Sequence, residues 1–198
     1  IRRPPTPTLF PYTTLFRSYD PEKQVALVVD EWGGWYDVEP GTNPGFLFQQ
    51  NTMRDAMIAG MTLNIFNNHA DRVRMANLAQ TVNVLQAVVL TDGEKMLLTP
   101  TYHVMDMYKA HHDATLIPAN IHTVDYTMDG KSIPAVSVSA SKKQDGVLTI
   151  SLVNVDSESA QPVAIDVRGM QAKSIAGQIL KADKLQAHNT FDHPDMVH

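Results

Sequence analysis

The sequence predicts an α/β fold, in which a layer of parallel strands and helices is followed by part of a β-sandwich. Up to about residue 110, short apolar runs alternate with helical patterns, an order typical of a parallel α/β layer. Residues 136–152 instead alternate apolar and polar positions, with Asp145 and Gly146 as a hairpin turn between two strands. We place the change between the two regions within residues 111–121.

The first predicted strand, residues 25–29, leads into an acidic pair. Its sequence, VALVV, is a continuous apolar run of the kind found in buried parallel strands. Asp30 and Glu31 follow directly, and Trp32 and Trp35 come next around two glycines. Catalytic residues commonly lie where such strands end, and indole rings offer flat surfaces of the kind that bind sugar rings. Glu31 is therefore a candidate catalytic carboxylate; the alternative is a solvated glutamate after a strand.

Capping signals and apolar periodicity predict the next elements. Asn43 and Pro44 are a favourable helix start, so we expect a helix over residues 46–61. The apolar residues 63–66 predict a second strand, and a helical stretch over residues 72–84 follows it. This strand, helix, strand, helix order is that of a parallel layer.

The remaining elements include one more helix and the sandwich strands. Thr99 and Pro100 are expected to cap a helix that runs to about Ala110. Beyond the change of period, residues 161–167 add a further strand to the hairpin of residues 136–152. The second half therefore resembles part of a β-sandwich.

Composition excludes several classes of partner. The 198 residues are 43% hydrophobic and carry a net charge of -5, which suits a globular protein and provides no basic surface for nucleic acid or an anionic membrane. No apolar run approaches the length of about 20 residues needed to span a bilayer. The lack of cysteine excludes disulfides and thiolate metal sites but leaves the localisation open.

The first 18 residues have a separate origin in our interpretation. Residues 8–18, TLFPYTTLFRS, resemble the in-frame translation of a common sequencing-library adapter. A Pro/Thr-rich extended linker is the alternative. We predict that residues 1–18 are a non-native segment and that the gene is interrupted near Tyr19, so that any signal peptide is lost from view.

Five sequence blocks carry a family resemblance. Between Asp30 and His111 they occur in the order DEW, NTMRDA, HADRV, LAQTVNVLQA and LTPTYHV, and the likeness continues to AHNTFDHPDMVH at the C-terminus. In this order they resemble the α-L-arabinofuranosidases of glycoside hydrolase family 51. The resemblance implies a (β/α)8 TIM barrel followed by a β-sandwich. Residues 19–115 would then be the last two βα units of the barrel, and residues 116–198 an incomplete C-terminal β-sandwich.

The resemblance also implies an activity and a site. Such enzymes are exo-acting and release terminal non-reducing α-L-arabinofuranosyl residues from polysaccharides and oligosaccharides with retention of configuration. The glutamate of the DEW block, at the end of barrel strand seven, is their nucleophile, which corresponds to Glu31. Trp35 corresponds to a tryptophan of the sugar pocket and Gln80 to a glutamine that hydrogen-bonds the furanose. Trp32 is expected to pack around the strand end, and Asp30 to be a structural partner.

Part of the implied enzyme is missing from this sequence. A (β/α)8 barrel takes about 250 residues, and the resemblance places the general acid/base, a glutamate after an asparagine, on strand four. We therefore expect the 198-residue fragment itself to be inactive. Two alternatives are a non-catalytic fragment and a retaining β-glycosidase or endoglucanase of a related barrel family.

Cofactors and further partners are not expected. His103, His111 and His112 are interpreted as solvated helix residues, because no HExxH motif or acidic triad accompanies them. We accordingly predict no metal and no cofactor. The expected partner is an arabinofuranosyl-containing oligosaccharide or polysaccharide, and the resemblance implies a homo-oligomeric parent enzyme.

Overall fold

The structure, a computed structural model, describes residues 19–198, and these form a sheet-rich fold with two α-helices. The predicted adapter-derived segment, residues 1–18, lies outside the described residues. The helices are α1 (Met53–Asn68) and α2 (Pro100–Tyr108). The strands are β1 (Leu27–Trp32), β2 (Val73–Leu78), β3 (Val89–Asp92), β4 (Lys95–Leu98), β5 (Thr115–Ile117), β6 (Asp125–Met128), β7 (Lys131–Pro134), β8 (Val136–Lys142) and β9 (Leu148–Asn154).

The strands form four small sheets. Strands β1 and β2 pair in parallel on either side of α1 in the sequence, which confirms a βαβ unit. The hairpins β3–β4 and β6–β7 are antiparallel, and β5, β8 and β9 form a three-stranded antiparallel sheet. Within residues 19–198 no sheet closes into a barrel. The domain boundary at residues 115 and 116 stays a prediction.

Helix α1 begins later than predicted. Asn43 does cap a helical turn, because its Oδ1 accepts from the Gly45 N–H at 2.9 Å. That turn is a single 3-10 turn that ends where Leu47 adopts a left-handed conformation, with φ of 52°. The true start of α1 is Thr52, whose backbone N–H donates to the Asp55 carboxylate at 2.8 Å. The predicted helix over residues 46–61 is therefore wrong in its first two turns.

Two further predictions were wrong around the end of α1. Residues 63–66, expected to be a strand, belong to α1, because a short apolar run fits a buried helix face as well as a strand. Residues 72–84, expected to be a helix, contain β2 instead. The parallel register with β1, Leu27 opposite Val73, outweighs the helical pattern there.

The later elements agree more closely with the predictions from the sequence. The Thr99 side chain caps α2 by accepting from the Tyr102 N–H, and a 3-10 turn, Lys109–His111, extends the helix as predicted. The β8–β9 hairpin is also confirmed. Residues 161–167 form no strand, because they are largely exposed and pair with no strand among the described residues.

A polar network joins the helices to the β5–β8–β9 sheet. Asn64 of α1 is fully buried, and its Oδ1 accepts hydrogen bonds from the hydroxyls of Tyr108 at 2.8 Å and Ser139 at 2.7 Å. The His111 ring lies between two serine hydroxyls of the sheet, with Nδ1 2.7 Å from Ser141 Oγ. The sheet therefore contacts the helical layer through satisfied polar groups as well as apolar packing.

His111 is expected to make the stability of this junction depend on pH. Burial lowers the pKa of His111 below its ordinary value, and the charge of nearby His112 lowers it further. The unfolded chain therefore binds this proton at a higher pH than the folded chain. The contribution of His111 to stability is complete above about pH 6.5 and is lost as the pH falls below that value.

Thermal unfolding of the 198-residue chain between about pH 7.5 and about pH 5 measures this effect. We expect the melting temperature to fall with the pH, and His111→Gln to flatten part of that fall. His103, whose pKa burial also lowers, contributes in the same direction and accounts for a remaining slope. His122 is exposed, and His122→Gln is therefore the matched control. An unchanged slope in His111→Gln would contradict the assignment.

Candidate active site

Glu31 lies on β1 itself, one residue before the strand ends. The strand continues past the predicted residue 29 and includes Asp30, Glu31 and Trp32. Trp32 is level with Leu78 of β2 in the parallel register, so the segment after β2 begins beside Glu31. Parallel strands thus bring two distant parts of the sequence together at their carboxyl ends.

The first cavity lies at this edge of the β1–β2 sheet and has a volume of about 460 Å³. Glu31 of β1 and Gln80, which follows β2, both line it, so these two candidate residues converge on one cavity. Asn77, which sequence reasoning missed, brings a second amide to the same wall. The lining residues are Asp30, Glu31, Asn77, Leu78, Ala79, Gln80, Thr81 and Val82.

A second cavity, of about 190 Å³, adjoins Glu31 on the side of the loop that follows β1. Trp35 lines it, and 69% of the Trp35 surface is exposed. Glu31 lines both cavities, whereas Asp30 lines the first alone. The lining residues of the second cavity are Glu31, Trp32, Gly33, Gly34, Trp35, Ala79 and Leu85.

Trp32 has a different environment from Trp35. Its ring meets Phe66 of α1 edge to face, with the ring centroids 5.6 Å apart, and it packs against the core cluster between the helices. The core cluster consists of Ala56, Ala59, Val104 and Tyr108. Trp32 therefore packs at the strand end, as the sequence predicts, and Trp35 is the indole that is open to a ligand.

The Glu31 carboxylate is exposed and forms no hydrogen bond or ion pair with any residue of the described chain. The amides of Asn77 and Gln80 line the first cavity as well, but neither donates to Glu31. The geometry offers a free carboxylate, two amides that can bind hydroxyls, and an indole face. Such a set can bind a polyhydroxylated ring and supply one nucleophilic or basic oxygen.

In the described part of the chain, no three histidine, cysteine, aspartate or glutamate side chains lie together in a group that could hold a metal ion. Nor is any helix there long and apolar enough to cross a membrane.

Comparison with known proteins gives the family. The sequence profile described as "Alpha-L-arabinofuranosidase C-terminal domain" matches residues 30–198. This chain belongs to that family. An intracellular exo-α-L-arabinofuranosidase of Bacteroides ovatus is 47% identical over 187 residues, covering 94% of this chain and 36% of its own length. An intracellular exo-α-(1→5)-L-arabinofuranosidase of Bacillus subtilis is 27% identical, covering 89% of this chain and 37% of its own length.

The solved structures that resemble this chain are also arabinofuranosidases. The crystal structure of the GH51 arabinofuranosidase from Xanthomonas axonopodis pv. citri superposes with a TM-score of 0.90 at 50% identity, over 93% of this chain and 38% of the other. The α-L-arabinofuranosidase from Thermotoga maritima, solved as an arabinose complex, gives 0.73 at 26% identity, over 89% and 38%. The chain thus spans little more than a third of the length of the relatives it matches.

Proposed function

We propose that this chain is the nucleophile-bearing part of an exo-acting retaining α-L-arabinofuranosidase. The enzyme would release terminal non-reducing α-L-arabinofuranosyl residues from arabinose-containing polysaccharides and oligosaccharides. The observation that carries the proposal is the position of Glu31 on the walls of both cavities, one shared with Gln80 and the other with Trp35. Family membership and the names of the relatives support the substrate class.

In the proposed reaction, a Glu31 oxygen attacks the anomeric carbon while a general acid protonates the leaving oxygen. The bond to the leaving group breaks and a glycosyl-enzyme ester forms on Glu31. The conjugate base of the same acid then deprotonates a water molecule, which displaces Glu31 and restores the original configuration. The Gln80 amide would bind a sugar hydroxyl, and Trp35 would cover the ring.

The acid/base partner is proposed to lie outside this chain. A retaining enzyme needs its two carboxyl groups about 5 Å apart, and the resemblance puts the acid/base directly after an asparagine. The sequence has five glutamates, and none follows an asparagine; they are Glu22, Glu31, Glu39, Glu94 and Glu158. The resemblance further implies that β1 and β2 are strands seven and eight of a TIM barrel and that residues 116–198 are part of a β-sandwich, and the proposal includes both assignments.

The intact protein tests the proposed function. We expect it to hydrolyse 4-nitrophenyl α-L-arabinofuranoside, and proton NMR of the first product to show the α-anomer, since two displacements retain configuration. A matched assay on 4-nitrophenyl β-D-glucopyranoside separates this function from a related retaining β-glycosidase. Preferential hydrolysis of the glucoside would overturn the proposal.

The isolated 198-residue chain is expected to give no turnover. Without a proton donor for the leaving oxygen, a nucleophile alone provides little catalysis. The same chromogenic arabinofuranoside measures this, with the intact protein as the positive control. Turnover by the short chain that disappears in Glu31→Gln would show that the acid/base group lies within these 198 residues.

A further inference from the structure

The loop that carries Trp35 has no secondary structure of its own. Strand β1 ends at Trp32, and the backbone of residues 33–36 joins no sheet or helix. Buried backbone groups need partners, and an exposed indole on an unsupported loop would sample many positions. What fixes this loop therefore fixes the wall of the second cavity.

Two buried glutamines supply those partners. Gln86 accepts at Oε1 from the Gly34 N–H at 2.7 Å, and Gln49 donates from Nε2 to the Gly34 carbonyl at 3.0 Å. Gln49 also accepts at Oε1 from the Tyr36 N–H at 2.9 Å. The two side chains thus bind the backbone on both sides of Trp35, as an adjacent strand would.

Gln86 is itself held in place by both helices, and Gln49 is buried beside the loop. Gln86 is 0% exposed, and its Nε2 donates to the Asp55 carbonyl at 2.7 Å and to Thr101 Oγ1 at 3.1 Å. Gln49 is 1% exposed. A buried amide with its donors and acceptors paired is oriented by its partners and has little freedom to rotate. Through Gln86, the helices α1 and α2 therefore fix the position of the Gly34 backbone.

The glycine at position 33 allows the loop backbone to lie close to Gln86 and Ala79. Gly33 has a φ of +144°, a conformation that favours glycine, and a Cβ there would lie 3.3 Å from both the Ala79 carbonyl oxygen and Gln86 Oε1. Tyr36 is anchored further by the Arg54 guanidinium, which lies 3.4 Å from the centre of its ring. The exposed Trp35 thus lies between two residues, Gly34 and Tyr36, whose backbone groups are hydrogen-bonded.

We propose that Gln49 and Gln86 are positioning residues that bind the loop of residues 33–36 and thereby hold Trp35 at the wall of the Glu31 pocket. They touch no reacting atom, and they act by presenting the indole in one place before the sugar arrives. Such preorganisation raises kcat/KM without a new contact to the substrate. The catalytic consequence rests on the proposed function, but the restraint of the loop does not.

Amide exchange in the 198-residue chain tests the restraint directly. Gln86→Met keeps the side-chain volume and removes the partner of the Gly34 N–H, and Gln49→Met does the same for Tyr36. We expect amide exchange in the loop to become about tenfold faster in each variant, measured by NMR. Gln50→Met is the matched control, because the Gln50 side chain donates to the Asn51 carbonyl and to none of residues 33–36, so both amides should stay protected. Unchanged exchange in the two glutamine variants would overturn the proposal.

Kinetics of the intact enzyme test the consequence for catalysis. We expect Gln86→Met to lower kcat/KM for the chromogenic arabinofuranoside about tenfold in the presence of Trp35, and to add little in a Trp35→Ala background. A merely structural role would give the same loss in both backgrounds and would overturn the proposal. Gln49→Met provides the second measurement if Gln86→Met does not fold.

The two proposals fail in different ways. If the intact enzyme keeps its turnover in Glu31→Gln, the proposed nucleophile is wrong, and the exchange rates of Gly34 and Tyr36 still decide whether the glutamines restrain the loop. If Glu31→Gln is inactive while the Trp35 and Gln86 substitutions act independently, the proposed function stands and the positioning role is wrong.

Discussion

Glu31→Gln is expected to lower kcat of the intact enzyme on 4-nitrophenyl α-L-arabinofuranoside by about four orders of magnitude or more. A neutral amide cannot attack the anomeric carbon to form the ester intermediate. The substitution is nearly isosteric, and Glu31 forms no hydrogen bond or ion pair within residues 19–198, so it breaks none there. The loss should therefore appear in kcat with the fold intact, as circular dichroism would verify.

Asp30→Asn is the matched control for this substitution. Asp30 is the adjacent carboxylate on β1 and lines the first cavity, but it does not line the second cavity beside Trp35. We expect a change of no more than about tenfold in kcat. An equal loss in both variants would indicate a general electrostatic role for the acidic pair in place of one nucleophile.

Chemical rescue distinguishes a nucleophile from a general base. Glu31→Ala leaves space in which a small anion such as azide can attack the anomeric carbon from the same face. We expect azide to restore turnover with an activated arabinofuranoside and to give the glycosyl azide of inverted configuration. A glycosyl azide of retained configuration would instead assign Glu31 to proton transfer, because azide would then have displaced a different nucleophile from the glycosyl-enzyme.

How much of the fold could be predicted depends on how local the determining interactions are. The Thr99 cap and the Asp145–Gly146 turn act within a few residues, and both elements appeared where expected. Residues 63–66 and 72–84 were assigned wrongly because their apolar patterns fit either structure. The parallel pairing of β1 with β2 decides between them, and that pairing joins residues more than 40 positions apart.

The residues of the candidate site also differ in how far the sequence could predict them. Glu31 and Trp35 are candidates because acidic and aromatic residues after an apolar strand, together with the sequence blocks, point to chemistry, and Gln80 is a candidate because of the sequence blocks. Gln49 and Gln86 carry no such signal, since a glutamine in a sequence can equally be exposed. The one available hint was the position of Gln86 inside the apolar run VLQAVV, where a polar residue needs buried partners. One of those partners, the Gly34 N–H, comes from a loop 52 residues away, and the others are Asp55 and Thr101 of the two helices.

Asn64→Leu is expected to destabilise the 198-residue chain by about 3 kcal/mol, the largest stability effect that we predict. Leucine fits the volume but removes every hydrogen bond that Asn64 makes between α1 and the sheet. The Ser139 hydroxyl would lose its acceptor in a fully buried site, and Ser137 would lose the Asn64 amide. For a chain of this size, the loss corresponds to a fall of about 6–12 °C in melting temperature.

The double variant Asn64→Leu/Ser139→Ala separates the network from simple packing. If the cost of Asn64→Leu arises from stranded polar groups, removing the Ser139 hydroxyl as well should recover part of the stability, because replacing both partners by apolar groups is nearly neutral. Tyr108→Phe should cost less than Asn64→Leu, since Asn64 keeps its contact with Ser139. Strictly additive losses in denaturant unfolding would instead assign the effect to packing. In that case the buried amide would contribute no specific link between the helical layer that supports the Glu31 pocket and the sheet behind it.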